Sequence, residues 1–142
     1  MKYSYLTIFL LFFLIISCKN EKKEVVEKQA FEMYEYSELA LLMEEFYVYN
    51  DSLKNQIIND QVLSSLPVNF NEIHTANMTD RFERDESFQM FAKLFEKHQK
   101  AVYTVSKDSL KKTFNSAIQT CIACHKTNCT GPIPRIQKLL ID

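Results

Sequence analysis

A single glycine, Gly131, stands in 142 residues, and tryptophan is absent. Tight hairpin turns draw on glycine for backbone with positive φ, so a chain this poor in it has little means of joining antiparallel strands. Leu, Lys, Glu, Gln, Phe and Ile are plentiful instead, and most of these favour helices. The expectation is an all-α fold in one domain.

Periodicity places the helices. Leu39, Met43, Phe46, Asn50, Leu53 and Ile57 step by four and three, which predicts a first helix from Glu27 to about Tyr49. Asn50-Asp51-Ser52 is expected to end it and cap a shorter second helix from Leu53 to about Leu63. Ser64 to Thr79, with Pro67 and several Asn and Thr, reads as a long crossover with a turn of helix around Asn71 to Thr75. Asp80 to Tyr103 is the next helix, its stripe formed by Phe88, Phe91, Ala92, Phe95, His98 and Val102. Ser106 caps the last long helix, which buries Leu110, Phe114, Ala117, Ile118, Cys121 and Cys124 or His125 until Gly131-Pro132 breaks it. Ile133 to Ile141 is a short apolar tail expected to fold back as a lid.

The last long helix carries Cys121-Ile122-Ala123-Cys124-His125, which reads C-x-x-C-H, the attachment pattern of a c-type haem. Residues three apart share a helix face, so Cys121 and Cys124 can reach two vinyl groups along one porphyrin edge. His125 then turns a neutral imidazole to the iron as proximal ligand, its other ring nitrogen held by a carbonyl or water that fixes the tautomer. The expected cofactor is one covalent haem c. Two other readings compete. A redox dithiol normally opens a helix after a strand, and no such strand precedes this pair. With Cys129 the same residues make a Cys₃His zinc set, although ligands this close along one stretch leave little room for tetrahedral closure.

The other end of the chain points to export. Residues 1–17 read as a lipoprotein signal peptide, with Lys2 as the positive start and Leu6 to Ile16 as an apolar run too short to span a bilayer comfortably. Ile15-Ile16-Ser17-Cys18 resembles the lipobox of bacterial lipoproteins, in which Cys18 receives the lipid; an ordinary secretory signal with an incidental Cys is the alternative. Residues 18–28 are expected to form a lipidated charged tether, and residues 29–142 a mono-haem helical-bundle domain. The expected location is a membrane-anchored lipoprotein facing the periplasm or cell surface, the compartment in which c-type haem is attached.

Four helices, a short final connection, a long middle crossover and C-x-x-C-H near the end of the fourth helix together resemble the class II cytochromes c, the cytochrome c-prime type, which implies an antiparallel four-helix bundle with a C-terminal haem-attachment helix. The resemblance covers roughly residues 27–130. In low-spin members a Met on the first helix is the sixth ligand, and Leu41-Leu42-Met43-Glu44-Glu45-Phe46 is similar to that stretch, which implies Met43 as sixth ligand. Packing is the other reading of Met43. His74, in the crossover, and His98 are weaker alternatives as sixth ligands. The chain departs from the family after the motif, where Lys126-Thr127-Asn128-Cys129 replace an aromatic and an Arg. Cys129, one turn past His125, can hydrogen-bond near the ligand, cross-link two chains or be buried as a small apolar residue.

Seventeen basic residues face 18 acidic ones, so no electrostatic case for nucleic acid exists. No nucleophile and base pairing, phosphate loop or paired carboxylates stand out, and an enzyme is not expected. The reading is a lipid-anchored carrier of single electrons, with redox partner proteins, the membrane through its lipid, and a homodimer as expected associations. A five-coordinate, gas-binding haem protein follows instead if Met43 only packs, and a zinc-stabilised interaction protein if no haem is present.

Overall fold

The computed structural model describes residues 35–142, and the signal peptide, Cys18, the tether and the expected helix start at Glu27 lie outside them. Among the described residues the all-α expectation holds: α1 is Glu38–Ile58, α2 Glu86–Ala101, α3 Lys107–Asn128 and α4 Ile133–Gln137, with a 3₁₀ turn at Phe70–His74 and no strand. None of these helices is long and apolar enough to cross a membrane.

Helix α1 starts at a cap rather than running in from upstream. Ser37 Oγ accepts from the Ala40 N–H at 3.2 Å, and Glu38 sits in the first turn, where a carboxylate suits the helix dipole. The expected break at Asn50-Asp51-Ser52 does not occur, so two predicted helices are one. Asn50 turns inward, 2% exposed, and its Nδ2 donates to the Phe46 carbonyl at 2.8 Å, within the helix it was expected to end. The helix stops at Asn59-Asp60, where Asp60 takes φ +59°, a left-handed conformation that Asp tolerates.

The crossover makes its turn of helix at Phe70–His74, where the sequence placed one. Phe70 and Ile73 are buried from it, and the Phe46, Phe70 and Phe95 rings meet with centroids 5.3 to 5.7 Å apart. Helix α2 begins at Glu86, later than the expected Asp80, because Asp85 Oδ1 accepts from the Phe88 N–H at 2.7 Å and sets the start there. Its buried stripe is Phe88, Ala92, Phe95 and Gln99, continued by Val102; Phe91 and His98 are half-buried at its edge.

Helix α3 buries Phe114, Ala117 and Ile118 as expected, none of them measurably exposed. It ends at Asn128, before Gly131-Pro132, because Cys129 caps it in extended backbone. The tail then returns over α1 and α3, burying Ile136 and Leu139. Lys54 Nζ donates to the carbonyls of Lys138 and Leu140 at 2.7 and 2.9 Å, and the Asn115 amide exchanges two hydrogen bonds with Ile141. Two apolar clusters result, one around Phe46, Phe70 and Phe95, the other around Leu53, Phe114 and Ile118, with Cys121 packed against both. Each fully buried Leu, Ile or Phe contributes about 1.5–3 kcal/mol.

Candidate functional site

An apolar cavity of about 110 Å³, open at one side, lies among the four helices. Helix α1 contributes Met43, Phe46 and Asn50 to its wall, α2 contributes Phe88 and Phe95, and α3 contributes Ile118, Cys121, Cys124 and His125. Residues from Pro132 to Leu139 close one side, so the tail does lie over this space. Thus the structure brings together the two motif cysteines, the motif histidine and Met43, residues 78 or more apart in sequence for Met43 against Cys121.

The donor set is tuned by burial. Burial pushes the Cys121 thiol up to about 12 and the Cys124 thiol up to about 11, so both stay protonated and uncharged near neutral pH. That is the reverse of the lowered value that activates a catalytic dithiol. His125 is held below its ordinary value, again chiefly by burial, which favours the neutral imidazole that a metal needs. Its Nδ1 faces the Cys129 carbonyl oxygen at 3.1 Å. A carbonyl only accepts, so Nδ1 carries the proton in that contact and Nε2 keeps its lone pair. The residues therefore fit a haem held by two thioethers and one imidazole.

The other predicted ligands stand elsewhere. His74 Nε2 is engaged by Glu96 Oε2 at 3.0 Å, and His74 does not line this cavity. His98 Nδ1 lies 3.0 Å from Thr120 Oγ1, and His98 lines not this cavity but a neighbouring open surface that shares Phe91 and Thr120 with it. Cys129 is half-buried, and burial raises its thiol. Among the described residues no group of three or more His, Cys, Asp or Glu side chains converges to hold a metal ion, which leaves the Cys₃His zinc set without geometric support.

Two features were missed in the sequence. Arg135 is the single Lys or Arg lining the cavity; it pairs with Glu44 at 2.6 Å and stacks 3.8 Å from the Tyr47 ring. Its only sequence signal was a basic residue, one of two with Lys138, in a mainly apolar tail. A second cavity, bordered by Met43, Met78, Phe82, Phe88, Cys124 and His125, adjoins the first through shared wall residues. Met78 was visible only as a residue of the long crossover. No family model matches the chain, and no curated protein and no solved structure matches it either, so the reading of this site rests on its own geometry.

Proposed function

We propose that this chain is a lipid-anchored mono-haem c-type cytochrome, of the class II or cytochrome c-prime kind, that carries single electrons at a membrane surface. The observation that carries the reading is the convergence of Cys121, Cys124, His125 and Met43 on one apolar cavity. In this reading α3 is the haem-attachment helix of an antiparallel four-helix bundle. The short connection 102–106 suits antiparallel neighbours in α2 and α3, while α1 runs through the two helices expected at the start of the bundle. Cys121 and Cys124 hold the haem covalently, His125 presents Nε2 to the iron, and Met43 is the candidate sixth ligand.

A bound haem supplies exchange of one electron between ferric and ferrous iron. The chain's own part is to hold still. Cys129 holds the orientation of the His125 ring, and Phe88, Phe95 and Ile118 give the cavity apolar walls. A fixed ligand set in apolar surroundings limits reorganisation when charge changes. The mouth at Glu44 and Arg135 is exposed, where a redox partner protein can approach. Lipid on Cys18 would tether the exported domain facing the periplasm or cell surface.

The second cavity favours one further reading. Its walls are mainly apolar and it reaches His125 beside Met43, so a chain in which Met43 only packs would admit small neutral gases there. Expression with a c-type maturation system, then haem staining after denaturing electrophoresis, tests the common core of both. The stain should migrate with the polypeptide, and Cys121 and Cys124 should resist alkylation; a colourless chain with both thiols open sinks the proposal.

A further inference from the structure

The residue that closes α3 is also the one that addresses the ring of His125. Cys129 donates its N–H to the His125 carbonyl at 3.0 Å and takes an extended backbone, φ −151° and ψ 102°. That conformation returns two of its atoms to one point, because its carbonyl oxygen and its sulfur each lie 3.1 Å from His125 Nδ1. The carbonyl decides the tautomer, since it has no proton to give. With Nδ1 protonated, the sulfur can only share in accepting. Any residue at 129 would bring the carbonyl. The sulfur is this chain's own addition.

We infer that Cys129 is a positioning residue for the proximal histidine, its sulfur and carbonyl together accepting the Nδ1 proton and making His125 a stronger donor to iron than the carbonyl alone would. This rests on the haem reading above. Partners that accept from the outer nitrogen of a ligating histidine orient the ring and raise its basicity. A more basic ligand favours ferric over ferrous iron, so the sulfur lowers the reduction potential.

The full chain, matured with haem, carries the test through Cys129→Ala and Cys129→Val, which both remove the sulfur and leave the carbonyl. In whichever keeps the native absorption spectrum, the midpoint potential should rise, shifting the ferric to ferrous equilibrium by a factor of about 2 to 10, the scale of one hydrogen bond's net contribution. A native spectrum with an unshifted potential overturns the inference, because a cysteine that only fills space would give that result. Loss of the native spectrum in both variants with the helical far-ultraviolet signal retained also supports positioning. Loss of both signals makes Cys129 a folding residue and overturns it. Wild-type protein that takes up no covalent haem overturns the proposed function instead, before any variant is compared.

Discussion

The guanidinium of Arg135 donates to both carboxylate oxygens of Glu44, at 2.7 and 2.6 Å, across 91 residues of sequence. It does so while stacked 3.8 Å from the Tyr47 ring, one turn along α1. The pair and the stack join the tail helix to the wall that carries Met43.

Replacing Arg135 with Gln should therefore loosen the tail rather than the bundle. Backbone amides of 136–141 are expected to exchange hydrogen faster, with those of α3 unchanged. Raised salt should weaken the ion pair but not the ring contact, so salt on the wild type should reproduce only part of the effect. Equal exchange in variant and wild type would show that Lys54 and Asn115 hold the tail unaided.

Met43→Ala separates electron carriage from gas binding. Met43 borders both cavities, and in matured protein its loss should convert a low-spin six-coordinate spectrum to a high-spin five-coordinate one. Absorption spectra of the two oxidation states read the change directly. An unchanged spectrum means that Met43 only packs.

Phe114 has no exposed surface and stands at the centre of the cluster shared by α1, α3 and the tail. Phe114→Ala should lower stability by about 3–5 kcal/mol, the combined loss of transfer energy and of the cavity left behind. The urea midpoint measures it, and a loss below about 1 kcal/mol would mean that the surrounding side chains collapse into the space.

Gln99 is fully buried, yet neither amide atom has a hydrogen-bond partner. A desolvated, unsatisfied group costs about 1–3 kcal/mol. Gln99→Met keeps the length and removes the polar atoms, so it should stabilise the fold by about 1 kcal/mol in urea unfolding. Destabilisation would place a hidden partner, such as a bound water, against the amide.

Glu96 carries a pH signature. Its carboxyl is held below the ordinary value, first by the hydrogen bond from Lys100 and next by that from His74. A depressed folded value adds stability that is fully present above the unfolded value of about 4.3 and is lost as pH falls through the folded one. Wild type should lose more stability than Glu96→Gln between about pH 6 and about pH 3. Parallel decline in both proteins would show that the contacts do not couple to folding.

How far the sequence could be read depended on whether local chemistry competed with longer-range packing. Phe114, Ala117 and Ile118 repeat at helical spacing around the motif, and nothing in α3 opposes that pattern. Asn50 misled because asparagine caps helices in isolation, whereas here its side chain turns into the cavity wall, donates to the Phe46 carbonyl one turn back, and the helix runs on. Asp80 and Asp85 are both credible helix starts, and only Asp85 makes the cap bond. Arg135 was illegible for another reason: its partners lie on α1, far away in the chain, and no local pattern announces them.

Cys121 touches both halves of the interior. A substituent fixed to its sulfur would be sensed at once by the Phe46 and Phe95 rings on one side and by Phe114 and Ile118 on the other. The two halves would then tighten in concert. On the reading proposed above, one bond made at this sulfur would bear on both clusters together.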